Sequence, residues 1–480
     1  MDNATNLIVQ EVKQIENEIW KLAVDIWNYN ELSLDEVQSS QAAAKFLAER
    51  GFTLSHAGIG GIDTAWIASW GSGDPVIGFT AEYDALPNLG NDTVACRCPR
   101  KDGNTNGHGC GHNLIGAAAV GAGVALKQYI EKHSLAGTIR IFGCPAEELL
   151  TGKNYMAKAG AFDGLDACLH FHPFPNTTVI NVKTTAYQSM YVEFKGTSSH
   201  SGVAPWLGRS ALHAVEIFLH GINVMREQMV PEARVHYIIQ QGGSAANIVP
   251  DYAKINIVYR GPNAENVSKY ADWIHRIADG AAQITETAAI VTDICACYDL
   301  LPNQVLADCI SKHLQVLGTP EWSEEEQQFA RKIQRAEGVK ELGLATAITP
   351  DMKGAAVGGT TDVGDISYIV PTSGVAVSCW PLLFAPHTWA ATACNGMSIG
   401  KKGMLRAIEV LALTGLDLIS DPQLLAKARE EFISRTKNKP YKSLCSADKP
   451  ILAEGHEHFI SSGHDEMLNS ILSDIGNNNN

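Results

Sequence analysis

Gly107-His108-Gly109-Cys110-Gly111-His112-Asn113 sets a cysteine and a histidine two residues apart among glycines, directly ahead of a helical pattern. A thiolate and an imidazole both suit a borderline metal ion, and the glycines let the backbone turn tightly enough to aim them. Residues 113–133 read as the helix. Before the turn, residues 76–80 read as a short strand running into Ala81-Glu82-Tyr83-Asp84-Ala85-Leu86-Pro87. The same rhythm continues outward, with a strand at 138–143 ending in Pro145-Ala146-Glu147-Glu148 and another at 167–171 ending at His172-Pro173. Strands alternating with helices predict an α/β fold with a largely parallel sheet.

The periodicity of apolar residues predicts two helices ahead of this region, at 7–29 and 39–50. After about residue 181 the rhythm changes. A strand at 189–195, a helix at 210–228, strands at 234–240 and 254–259 and a helix at 263–285 approximate a β-α-β-β-α-β unit, the pattern of a ferredoxin-like α+β module. The α/β rhythm resumes near Ile290, passes a glycine-rich turn at 354–359, and reaches a strand at 375–379 that leads to Pro386-His387. The expected architecture is a discontinuous catalytic α/β domain, 1–182 and 297–480, with a mixed, largely parallel sheet flanked by helices. Residues 183–296 form the inserted domain. The tail from Asp417 reads as helix and loop.

The chain of 480 residues is 45% apolar and carries a net charge of −15. That charge argues against a nucleic-acid surface, which needs clustered Lys and Arg. The N-terminal residues run into Glu11, Glu16 and Glu18, unlike a signal or transit peptide, and the longest charge-free apolar run, 114–126, is short of a membrane span. Eleven cysteines without secretory features predict reduced thiols and a cytoplasmic location.

Candidate metal donors therefore follow successive strands: Asp84, Cys110 with His112, Glu147 with Glu148, His172 and His387. Open α/β sheets build their sites beyond the carboxyl ends of strands, so segments distant in sequence can converge there. Singly, His172 would be an ordinary core histidine and Glu147-Glu148 a solvated turn. Their recurrence after several strands favours a metal centre. A thiolate with imidazoles and carboxylates suits zinc or manganese, and so many donors suit two ions sharing a ligand. Of Glu147 and Glu148, one can ligate while the other faces metal-activated water, taking its proton and passing it to a leaving amine. Asp84 is better placed to orient a ligand histidine than to ligate. His108 flanks the site. Cys96 and Cys98 lack a second pair at zinc-finger spacing, and His456, His458 and His464 read as solvated. In the inserted module, His200, Asn247 and Arg260 supply groups that a substrate carboxylate and a developing oxyanion require.

These motifs, with Ser244-Ala-Ala-Asn-Ile-Val-Pro-Asp251, resemble the aminoacylase and carboxypeptidase family of dinuclear metallohydrolases, in its amidohydrolase branch. Within that branch, the wording of residues 107–116 and 358–367 is most similar to the p-aminobenzoyl-glutamate hydrolases. The resemblance spans about residues 5 to 415. It implies that Cys110 bridges two divalent ions, with His112 and His172 completing one and Glu148 and His387 the other. It also implies that Glu147 is the general base and that Asp84 orients a ligand. His200, from a lid that also dimerises, would steady the oxyanion in the partner's site, and Asn247 and Arg260 would hold the substrate carboxylate. The implied activity is hydrolysis of the amide in an N-acyl or N-aroyl amino acid, such as p-aminobenzoyl-glutamate, or in a dipeptide. Lys353, Thr360, Thr361 and Asp362 are candidates to line the pocket. A homodimer, or a heterodimer in which this chain is a metal-binding subunit inactive without its partner, are the assemblies implied. Two residues depart from the branch's pattern: Asn113 stands where Asp is usual, and Cys144 where Gln is usual.

Overall fold

The computed structural model describes residues 3–451. Helices α1 (Asn3–Tyr29) and α2 (Val37–Ala48) precede strands β1 (Thr53–Ala57), β2 (Trp66–Ser72) and β3 (Val76–Glu82). Then come α3 (His112–His133), β4 (Gly137–Cys144), α4 (Gly152–Lys158), β5 (Ala167–Phe174), β6 (Thr178–Ile180) and β7 (Val182–Lys183). A second group follows: β8 (Ala186–Lys195), α5 (Ala211–Glu227), β9 (Arg234–Gln241), β10 (Tyr252–Gly261), α6 (Ala264–Thr285) and β11 (Ala288–Cys297). The remainder is α7 (Gln304–Leu317), α8 (Glu324–Ala336), β12 (Ala355–Ala356), α9 (Val363–Ser367), β13 (Thr372–Ser378), α10 (Trp389–Asn395), α11 (Ser398–Ser420) and α12 (Pro422–Thr436).

The main sheet runs β1-β2-β4-β3-β5-β13-β6. Its four central strands are mutually parallel, and antiparallel pairs flank them on both sides, so the sheet is mixed. Every residue of β3 and of β13 is buried, as expected of parallel strands covered on both faces. The faces separate by alternation along β4. Ile139 and Ile141 pack into the core with α1, α3 and α11, while Phe142 and Cys144 face Tyr155, Met156 and Ile366 on the other side. Because the four central strands are parallel, their carboxyl ends share one edge, where His172 ends β5 and the loops bearing Asp84, Glu147 and His387 emerge.

The second sheet is antiparallel, in the order β11-β8-β10-β9, with α5 and α6 packed over one face. Met190, Val192 and Phe194 of β8 and Ile255 and Ile257 of β10 form its core with Val215, Phe218 and Ile274. One expectation needs correcting. Ile290 lies in β11 opposite Glu193 of β8, so it belongs to this sheet, and the α/β rhythm resumes only with α7. A run of β-branched residues looks the same in either sheet; only its pairing distinguishes them.

The tail after α12 lies against α4, α9 and β11. Tyr441 Oη donates to Asp365 at 2.6 Å, Lys158 Nζ donates to the carbonyls of residues 445–447, and Cys445 is buried. His456, His458 and His464 lie outside the described residues.

Candidate metal centre and active site

Cys110 sits just before α3, whose first residue is His112. Gly111 has φ 84, a left-handed conformation that glycine adopts without cost, and a Cβ there would come within 2.8 Å of the Pro173 ring. A Cβ on Gly109 would strike Leu89 at 2.6 Å. The glycines thus permit the close approach that seats Cys110 beside the end of β5. A backbone bond from His387 N to Gly109 O, 2.9 Å, brings in the segment after β13.

Two three-donor groups result, each with donor atoms within 4.8 Å of one another: Cys110, His112 and His172, and Cys110, Glu148 and His387. Cys110 Sγ lies 3.4 Å from His172 Nε2, and His387 Nε2 lies 3.2 Å from Glu148 Oε2. A third group joins Glu82, His112 and Glu147. His112 Nε2 is 3.5 Å from Glu82, 3.7 Å from Glu148 and 3.8 Å from Glu147.

The other ring nitrogens are committed elsewhere. His112 Nδ1 meets Asp84 Oδ1 at 2.7 Å, and His172 Nδ1 meets the Pro173 carbonyl at 2.7 Å, so each ring turns its Nε2 to the centre. Asp84 is itself fixed, accepting from Ser33 Oγ at 2.7 Å and from the Glu148 backbone N–H at 3.0 Å. Burial would raise the Asp84 carboxyl, but His112 and these donors hold it well below the usual carboxylate range.

The centre fits divalent cations. Among the described residues, His112 Nε2, Glu148 Oε1 and Glu82 Oε2 are buried acceptor positions without a hydrogen-bond partner, a costly arrangement that bound cations would relieve. Charge points the same way. Glu82 and Asp362 pair with one buried ammonium, that of Lys153, and Glu147 lies close enough to feel all three charges. Burial, with Glu82 and Asp362 nearby, pushes the Glu147 carboxyl well above its ordinary value.

Residues 78–379 match the family model for peptidase family M20/M25/M40. The chain is 35% identical to one of the two named subunits of p-aminobenzoyl-glutamate hydrolase from Escherichia coli (strain K12), over 447 residues, 88% of this chain and 93% of that one. The chain belongs to this family. It is also 27% identical to a Mus musculus Xaa-Arg dipeptidase, over 88% of this chain and 90% of that one. A solved aminobenzoyl-glutamate utilization protein from Klebsiella pneumoniae shares the fold, with a TM-score of 0.60 at 19% identity, covering 85% of this chain and 97% of that one. The protein is therefore a hydrolase of the M20/M25/M40 type.

In this M20-family chain the inserted unit holds the three remaining candidates, and none of them is hydrogen-bonded to the donor cluster among the described residues. His200 is exposed, and its Nδ1 accepts from Gly202 N at 3.1 Å. Exposed Asn247 lies on the neighbouring loop, its carbonyl accepting from Ser201 N at 3.0 Å. Arg260, at the end of β10, stacks over Tyr187 and donates to Thr360 Oγ1 at 2.7 Å, which ties the second sheet to the segment ahead of α9.

Several residues resolve differently from their reading in sequence. His108 turns into the core, where Nε2 meets the Ile26 carbonyl at 3.0 Å and burial lowers its pKa to about 3. Asn113 donates to the carbonyls of Ala23 and Asn395 at 3.2 and 3.1 Å, two bonds that an ionised aspartate could not make. Cys144 is a buried core thiol. Asp362 binds Lys153 Nζ at 2.5 Å and caps its backbone N–H at 2.8 Å, so its carboxylate supports the site from behind. Glu82 and Lys153 escaped sequence reasoning altogether. The signal for Glu82 was an acid ending an otherwise apolar strand; Lys153 offered none.

Proposed function

We propose that this chain is a metal-dependent amidohydrolase that frees an amino acid from an N-acyl or N-aroyl amino acid, with p-aminobenzoyl-glutamate or a dipeptide as the substrates to test first. The observation that carries this reading is the membership of Cys110 in two donor groups, with Glu147 directly before the Glu148 donor. In this reading Cys110, His112 and His172 hold one ion, and Cys110, Glu148 and His387 hold the other. Two zinc or manganese ions would lower the pKa of water and polarise the scissile carbonyl.

The protein's own groups do the rest. Asp84 keeps His112 in the tautomer that presents Nε2. Glu147 accepts a proton from the attacking water at its carboxylate and returns it to the leaving amine nitrogen. Arg260 and Asn247 bind the substrate carboxylate, and His200 donates to the oxyanion. A cavity of about 310 Å³ beside His387, lined by Leu89, Arg97, Phe384 and Trp389 among others, gives room for the acyl or aroyl group.

Residues 183–296 act as lid and dimerisation domain in this proposal, bringing His200 to a partner's centre. Two features support it: β9 is an edge strand, and apolar side chains are exposed nearby, among them Ile238 at 62% and Trp206 at 71%. No helix among the described residues is long and apolar enough to cross a membrane. Nine of the eleven cysteines are buried free thiols, which suits a reducing compartment, and we place the protein in the cytoplasm.

The test is to strip the purified chain with chelator, restore zinc or manganese separately, and assay glutamate release from p-aminobenzoyl-glutamate beside N-acyl amino acids and dipeptides. Metal-dependent turnover by this chain alone is expected. Binding of two ions without turnover of any amide would favour a second reading, a subunit that needs a different partner chain. The Escherichia coli relative carries the name of one subunit among two, which motivates that arm of the experiment.

A further inference from the structure

A second group of metal donors lies outside this centre, on the helices behind the main sheet. Cys309 and His313 are four residues apart in α7, so they share one face of that helix. Asp417, near the end of α11, points its carboxylate between them. Its Oδ2 lies 3.0 Å from His313 Nε2 and 3.6 Å from Cys309 Sγ, and all three donor atoms fall within 4.8 Å of one another.

We propose that Cys309, His313 and Asp417 form a separate zinc site that pins α7 to α11. A tetrahedral zinc with ordinary bond lengths spaces its nitrogen and oxygen ligands by about 3.3 Å, and its sulfur and oxygen ligands by about 3.5 Å. The observed separations of 3.0 and 3.6 Å are close to those edges. The ligand set is mixed sulfur, nitrogen and oxygen, which suits zinc over magnesium or calcium. Cys309 and His313 are 6% and 5% exposed, whereas the Asp417 side chain is 30% exposed, leaving a solvent approach for the ion and for water as fourth ligand. Binding releases the Cys309 thiol proton to solvent, and His313 gives up its Nε2 proton as the imidazole takes the Nδ1–H tautomer, so the ion sits where protons now bridge the carboxylate to sulfur and to nitrogen.

Lys312 opposes binding. Its ammonium, on a side chain 67% exposed, lies 3.2 Å from the same Asp417 oxygen and must swing outward when the ion enters. This requirement provides a control, because a simple hydrogen-bonded clamp and a metal site respond oppositely when Lys312 is removed. The clamp loses one contact. The metal site loses a repulsive charge.

The experiment is native mass spectrometry of the whole chain, metal-stripped and then titrated with zinc. Wild type is expected to retain one zinc more than Cys309→Ser, with turnover unchanged in the variant. The near-ultraviolet thiolate band of the cobalt-loaded protein should be weaker in Cys309→Ser, with the Cys110 contribution cancelling in the difference. Lys312→Ala should hold the additional zinc about tenfold more tightly, the scale of one nearby unit charge. Equal zinc counts in wild type and Cys309→Ser, or an additional zinc that survives Cys309→Ser with His313→Ala, would overturn the assignment. The readout is a difference between two chains, so it stands whatever the main centre binds.

Discussion

The donor cluster and the inserted unit are built on opposite principles. At the cluster the buried groups are held by others behind them: His112 by Asp84, Asp84 by Ser33 and the Glu148 backbone, Glu82 by Lys153, Lys153 by Asp362. Such layering fixes geometry before any ligand arrives. In the insert, His200 and Asn247 are exposed on loops, and Trp206 and Ile238 project apolar surface outward. The first region draws its donor groups from one chain. The second ties Arg260 to Thr360 and leaves His200 and Asn247 facing solvent.

The sharpest way to break the contrast is to remove the donor common to both groups. Cys110→Ala should lose the metal of this centre and all measurable turnover, while loss of a buried thiol outside the donor groups, in Cys144→Ala, should leave metal content unchanged; elemental analysis separates the two. Glu147→Gln should retain its metal and lose about 10²–10⁴-fold in kcat, the scale of acid–base catalysis. Full activity in that variant would sink the base assignment.

The insert can be tested by complementation. His200→Ala alone should lose about 10²–10³-fold, the scale of an oxyanion donor. Mixed with Glu147→Gln and allowed to exchange subunits, it should regain up to about a quarter of wild-type activity by random pairing, because one hybrid site carries both intact residues. No recovery despite demonstrated exchange would mean that each chain completes its own site.

Smaller effects probe the layering. Asp84→Asn should weaken metal binding by about 10–100-fold, measured by competition with a chelator. Asn113→Asp should lower stability by about 1–3 kcal/mol near neutral pH, because it leaves the Ala23 and Asn395 carbonyls without their donor. A denaturant titration would show it, and a neutral result would mean that the site tolerates the residue usual in the branch.

Much of this was legible from local pattern. Residues 113–133, 138–143 and 234–240 were readable as elements because their apolar spacing already matches helix or strand, and the structure moves their ends by one residue. Among the candidate donors, Glu147, Glu148, His172 and His387 were legible because they follow or end strands, and Cys110 and His112 because they flank a glycine ahead of a helix. Lys153 was not legible, since a lysine in a short helix is ordinarily solvated. Its burial depends on Asp362, 209 residues away. The α/β rhythm was read as resuming near Ile290, too early for the same reason, because strand pairing is a long-range property.

Sequence alone determined which chemistry the chain carries and the order in which its donors arrive, since residue type and short-range periodicity are local. Tertiary structure decided which donors share a centre and which do not. It turned His108 into the core against Ile26, buried Glu82 and Lys153 as a pair beside the donor groups, and set Asp417 between Cys309 and His313. Each of those outcomes depends on packing and desolvation by distant segments, and the free energy of a buried polar group is set by what surrounds it.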